Sequence, residues 1–127
     1  MSYPTDRKYA TSHEWVSVDG DTATVGITNH AQDALGELVY VDLPDVDDDV
    51  TAGETCAEVE STKAVSDIYS PVSGTVCAVN EALDGNEQTV NEDPHGGGWL
   101  FKVTMTDPSE LDALMDSTAY SAHVDEG

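Results

Sequence analysis

The chain has 127 residues, with 4 basic and 26 acidic side chains and a formal net charge of -22. A surface so strongly of one sign repels nucleic acid and anionic membranes, which excludes both as partners. Apart from 45–49 the acids are interleaved with apolar residues, which excludes a disordered acidic chain and fits a single domain over 1–127 with a modest core.

In chain order, residues 1–8 read as a polar N-terminal arm. Trp15, Val16 and Val18 predict a strand, Asp19-Gly20-Asp21 a turn, and 22–27 the returning strand of a hairpin. His13 and Glu14 are the kind of pair that ligates metal, but no clear third ligand lies nearby in the sequence. A short helix near 29–35 follows, with Thr28 as its cap and Gly36 suited to the left-handed position past its end. Residues 37–43 form a strand ended by Pro44. The acidic loop 45–49 lacks the glycine and the closing glutamate of a calcium loop and reads as a solvated turn. Two strands, 54–59 and 66–70, flank a tight turn at 60–64. Pro71, Ser73 and Gly74 turn the chain into a strand at 74–80.

Residues 81–98 are turn-rich. Gly96-Gly97-Gly98 is flexible by composition and lacks the lysine and hydroxyl that follow a phosphate loop. A last strand covers 99–104. Asp107, Pro108 and Glu110 have the spacing of a cap, a first helical proline and a capping box, which predicts a C-terminal helix near 108–115. Leu111, Leu114 and Met115 would pack that helix on the sheet, leaving 117–127 as an acidic tail that either forms another short helix or frays. Gly36 to Val41 is echoed by Gly74 to Val79, which points to two similar half-units around the central hairpin. Cys56 and Cys77 have no metal or redox spacing and read as buried free thiols. The chain shows no leader pattern and no apolar run of membrane-spanning length, so the expectation is a soluble cytoplasmic protein.

One residue stands apart. The basic side chains are Arg7, Lys8, Lys63 and Lys102. Two lie near the N-terminus and Lys102 sits in a strand, where a snorkelling lysine is ordinary. Lys63 is held on a hairpin tip in a chain that otherwise avoids amines. By itself a lysine on a turn does no more than stay solvated.

Its neighbours change the reading. Glu60-Ser61-Thr62-Lys63-Ala64, followed by Ser66-Asp67-Ile68-Tyr69-Ser70-Pro71-Val72-Ser73-Gly74, resembles the lipoyl-attachment hairpin of glycine cleavage system H proteins. The likeness runs from about Tyr9 to Tyr120. It includes Ser12-His13-Glu14-Trp15-Val16, Val25-Gly26-Ile27-Thr28, Leu35-Gly36, Leu43-Pro44, Val90-Asn91-Glu92-Asp93-Pro94 and Gly98-Trp99. Short blocks in the right order are specific together where each alone is weak.

The resemblance implies a mainly β, lipoyl/biotinyl-type fold, a flattened barrel or sandwich hybrid of two small sheets. It implies a carrier, not an enzyme, with lipoate joined to Lys63 as an amide. A decarboxylase using pyridoxal phosphate would load an aminomethyl group, a tetrahydrofolate-dependent aminomethyltransferase would unload it, and dihydrolipoamide dehydrogenase would reoxidise the dithiol. A lipoate-attaching enzyme completes the partners of what is expected to be a monomer. The resemblance also implies a cleft where the arm docks, with Glu14 holding its ammonium and Ser12 and Asp67 as polar neighbours. Two positions depart from the family pattern, the first of them removing a potential cleft contact. Many family members have histidine where this chain has Ala34, and often an aromatic residue where it has His95.

Other readings share parts of the pattern. A lipoyl module of a 2-oxoacid dehydrogenase would share the hairpin but not the His-Glu-Trp segment. A biotin carrier would place methionines beside the lysine, where this chain has Thr62 and Ala64. An acidic binding protein or a metal-dependent enzyme is the alternative of another class, although no nucleophile, base and oxyanion set stands out. The acidity itself reads as adaptation to a salty cytoplasm, as in halophilic archaea, because screening at 1 M cuts the reach of repulsion to about 3 Å.

Overall fold

The computed structural model describes residues 5–126, with side chains as far as 124. The first four residues of the expected arm and Gly127 lie outside the described residues. Two antiparallel sheets make the molecule. One has six strands in the order β1 (Lys8–Tyr9), β2 (Glu14–Asp19), β3 (Thr22–Ile27), β9 (Phe101–Met105), β8 (Gly74–Val79) and β5 (Asp49–Val50). The other has β6 (Thr55–Ser61) between β4 (Leu38–Asp42) and β7 (Val65–Tyr69). Mainly β with two small sheets is the architecture expected.

Alternation builds both sheets. In β6, Ala57, Val59 and Ser61 face inward while Glu58 and Glu60 face solvent. The inner faces meet in one core, with Val16, Val25, Val76, Phe101 and Val103 from the larger sheet and Leu38, Ala57, Val59 and Ile68 from the smaller. Each of these side chains larger than alanine contributes about 1.5–3 kcal/mol by leaving water. The β2–β3 hairpin closes through Gly20 at φ 63.

Helix α1 (Asn29–Leu35) forms where expected. The Thr28 hydroxyl accepts from the Ala31 amide, and Gly36 ends the helix at φ 85. The echo is also real. β4 slips register between Leu38 and Tyr40, and β8 does so between Val76 and Ala78, the matching step 38 residues later. One copy lies in each sheet. The skipped residues, Val39 and Cys77, are both exposed. Cys77 therefore corrects the expectation of two buried thiols. Cys56 is only partly covered, and both are free.

Two other expectations change. The helix expected near 108–115 forms at Pro108–Ala113, but with 3₁₀ geometry. Asp107 does cap it, but Glu110 does not reach back to complete the capping box. Its carboxylate accepts instead from the Ser73 amide at 2.7 Å and the Ser73 hydroxyl at 2.8 Å, so the turn is tied to the β7–β8 connection. The regular α-helix comes later, as α3 (Ser117–Glu126), in the tail, where a further short helix was one of the two expectations. Asp116 accepts from the Ala119 amide at its start, and Tyr120 is fully buried.

The turn-rich stretch also holds a one-turn helix, α2 (Thr89–Glu92), whose Val90 enters the core. The triple glycine after it is tied down. The Gly96 and Gly98 amides donate to the Asp93 carbonyl and Gly97 to its carboxylate. A Cβ on Gly98 would meet Val90 and the Asp93 carbonyl at 2.8 Å, so close packing against α2 demands glycine there.

Candidate functional site

The hairpin turn carries its lysine on a stiff base. The Ser61 hydroxyl accepts from the Lys63 amide at 3.2 Å and the Ala64 amide at 3.0 Å, and donates to the Ala64 carbonyl at 3.2 Å. The Ser61 amide closes the turn on the same carbonyl at 2.8 Å. From outside the hairpin, the Glu37 carbonyl accepts from the Thr62 amide at 3.1 Å, which ties the tip to the start of β4. Residues 62–65 are exposed. Among the described residues the only ion pair joins Arg7 and Asp6, so the Lys63 ammonium is unpaired there.

The lysine stem lies over Gly36. A Cβ built on that glycine would come within 2.9 Å of Lys63 Cε. Gly36 thus serves twice, as the left-handed end of α1 and as the bare surface on which the lysine rests. Ala34, exposed on the last turn of α1, belongs to the same neighbourhood.

A second feature opens beyond the far end of β7, a cleft of about 430 Å³ whose lining includes Ser12, Glu14, Tyr69 and Met115. Glu14 is 1% exposed. The Ser12 hydroxyl donates to its Oε1, and the Tyr69 amide donates to Oε2 at 3.4 Å. Burial pushes the Glu14 carboxyl up to about 7, against the opposing pull of those hydrogen bonds. The cleft therefore holds a carboxyl poised to change charge near neutrality, in walls that are mostly apolar.

Of the residues singled out in the sequence, Ser12 and Glu14 come together in this cleft and Lys63 stands on the tip. Asp67 does not line it. It is exposed on β7, opposite Glu58, on the outward face it shares with Val65 and Tyr69. That face runs from the tip toward the cleft mouth. Tyr69 is a lining residue the sequence reading missed; strand alternation two residues past Asp67 puts it on the same face, and only the fold brings that end of β7 to the cleft. The wall from 113–115 carried no such signal, because it depends on Glu110 crossing to Ser73.

His13 and Glu14, adjacent in sequence, point to different partners. His13 Nδ1 lies 2.7 Å from the Tyr120 hydroxyl while Glu14 meets Ser12 and Tyr69. Among the described residues no group of three His, Cys, Asp or Glu side chains is arranged to hold a metal ion. His95 acts locally. Its Nε2 accepts from the Asn29 amide at 3.2 Å, tying the glycine turn to the start of α1.

Comparison with known proteins gives a consistent result. A family model described as glycine cleavage H-protein matches residues 7–127. A glycine cleavage system H protein of Beutenbergia cavernae is 56% identical over 122 residues, covering 96% of each chain. Its counterpart in a Shewanella species (strain ANA-3) is 56% identical over 124 residues, covering 97% of this chain and 96% of the other. Among solved structures, a glycine cleavage system H protein from Mycobacterium marinum superposes with a TM-score of 0.87 at 44% identity, covering 94% of this chain and 97% of that one. These relatives are bacterial, so the archaeal source expected from composition finds no support in them.

Proposed function

The chain belongs to the glycine cleavage H-protein family, and from that footing we infer that Lys63 is where its lipoate is attached, as an amide on Nζ. The protein is a lipoyl carrier of the glycine cleavage system. The observation that carries the assignment of Lys63 is its position, an unpaired primary amine on an exposed turn braced by Ser61 and the Glu37 carbonyl. The residues fit the group. Gly36 leaves the lysine stem room that any side chain would fill, and the neighbours Thr62 and Ala64 are small.

Lipoate supplies a disulfide that opens to two thiols and closes again. The chain's own residues hold and shelter it. The stiff turn fixes the root of the arm, and a fixed root makes each transfer effectively intramolecular once a partner enzyme docks. The outward face of β7, through Val65, Asp67 and Tyr69, leads from that root to the cleft. There Glu14, when ionised, receives an ammonium, and Ser12 and the Tyr69 amide hold the carboxylate in place. Asp67 contributes negative charge along the way. The enclosing apolar wall limits the access of water.

We read the protein as a carrier rather than an enzyme. It serves the pyridoxal-phosphate decarboxylase, the tetrahydrofolate-dependent aminomethyltransferase, dihydrolipoamide dehydrogenase and the enzyme that attaches lipoate. Among the described residues no helix is long and apolar enough to cross a membrane, which accords with work in the cytoplasm. The acidic surface is read as salt adaptation.

Intact-mass analysis with peptide mapping tests the attachment. After incubation with a lipoate ligase, ATP and lipoate, one lipoyl increment on Lys63 is expected, and Lys63→Arg should carry none. An increment on Lys8 or Lys102, or a biotin increment at Lys63 in the natural host, would overturn the assignment.

A further inference from the structure

Away from the hairpin, three imidazoles from three parts of the chain meet at His13. His13, in the turn between β1 and β2, has its ring centroid 4.8 Å from that of His30 on α1 and 5.8 Å from that of His123 on α3. The Tyr120 hydroxyl lies 2.7 Å from both His13 Nδ1 and Thr28 Oγ1. The Tyr120 ring stacks on Tyr9 at 4.8 Å, and His123 Nε2 lies 3.3 Å from the Thr11 carbonyl oxygen. His13 itself sits at φ 75, a left-handed conformation held by amides at both ends of the turn.

These contacts decide whether α3 exists. A ten-residue helix is marginal in water without tertiary support. Among its described side chains only Tyr120 is fully buried. The residues that grip it also build the cleft. Tyr9, Thr11 and Ser12 line that cavity, and Met115 of its wall exchanges two 2.8 Å backbone hydrogen bonds with Tyr9.

We propose that the His13–His30–His123 cluster is a pH-sensitive latch, which holds α3 against the β1–β2 turn when neutral and releases it, with the cleft wall, when protonated. The ionisable groups facing His13 among the described residues are His30 from α1, His123 and Tyr120 from α3, and Tyr9 from β1 behind Tyr120. None of the three histidines forms an ion pair with a carboxylate there. Burial first, then positive charge on His30 and His123, holds the His13 imidazole below its ordinary value. With α3 detached, that imidazole returns toward about 6.5. The released form therefore binds the proton more tightly, and acidification below that range favours release. The latch rests on the fold alone; its effect on a docked arm rests on the cleft reading.

Hydrogen exchange followed by mass spectrometry tests it on the full chain in molar KCl, at pH 7.5 and pH 5.5, with intrinsic exchange rates corrected. Protection of amides in 117–126 is expected to fall severalfold at the lower pH while β6 and β7 keep theirs. The double variant His30→Gln, His123→Gln changes partly exposed positions and should keep more α3 protection at pH 5.5 than the parent, although burial of His13 remains. His13→Asn, which tolerates the left-handed backbone, should do the same. Equal protection of α3 at both pH values, or an undiminished loss in the double variant, would overturn the proposal. None of these readouts depends on lipoate, so a failure of the latch is distinct from a failure of the carrier assignment.

Discussion

Glu14→Gln isolates the buried carboxyl. In the native protein Glu14 keeps its proton up to about 7, against an ordinary value of 4.5. At about 1.36 kcal/mol for each factor of ten, that difference is worth about 3 kcal/mol. The native state binds more protons than the unfolded chain between those limits, so the Glu14 contribution to stability falls as pH rises from 4.5 to 7 and is level above. Glutamine has the same shape and can accept from the Tyr69 amide while its NH2 donates to the Ser12 hydroxyl, but it carries no charge to desolvate. His13 and His95, both held below their ordinary values, give slopes of opposite sign that are common to both proteins and cancel in the comparison. Urea unfolding at fixed molar KCl, measured every half unit from pH 4.5 to 8.5, should show the variant gaining on the parent by about 3 kcal/mol across that window. A gap that stays constant to within about 1 kcal/mol, or that opens in the parent's favour, would refute the account of Glu14 as a desolvated carboxyl.

Two further outcomes follow from the tip and the surface. Gly36→Ala puts a side chain at φ 85 and 2.9 Å from Lys63 Cε, so it should cost about 1–2 kcal/mol in urea unfolding and slow ligase-catalysed lipoylation of Lys63 in a mass-spectrometric time course; unchanged stability and rate would remove Gly36 from the site. With a formal charge of -22 from 26 acids against 4 bases, the protein should unfold at lower urea concentration in dilute buffer than in 2 M KCl, and an equal midpoint in both would dispose of the salt-adaptation reading.

Local chemistry was legible where a residue acts on its near neighbours in the chain. Thr28 and Gly36 bound α1 because a hydroxyl cap and a left-handed glycine act over one turn. Lys63 announced itself because an amine on a tight turn is conspicuous in so acidic a chain, and Ser61 beside it supplies the bracing. Glu110 shows the opposite case. Its spacing from Asp107 satisfied the capping-box pattern, yet Ser73 offered two donors from across the fold, and the carboxylate went there. With the box incomplete, the segment tightened into 3₁₀ geometry and the helix began after Asp116.

Sequence by itself determined the strand alternation, the α1 boundaries, the hairpin with its exposed lysine, and the family whose motifs surround it. These depend on periodicity and on short-range hydrogen bonds, which are written along the chain. Tertiary structure alone decided that Ser12, Glu14 and Tyr69 share a cleft, that Asp67 stays on the outer face, and that His13 and His123 flank Tyr120 with His30 beside His13. Those residues meet only when β2, β7 and α3 close on one another. The burial that raises the Glu14 carboxyl and lowers the His13 imidazole exists only in that closed state.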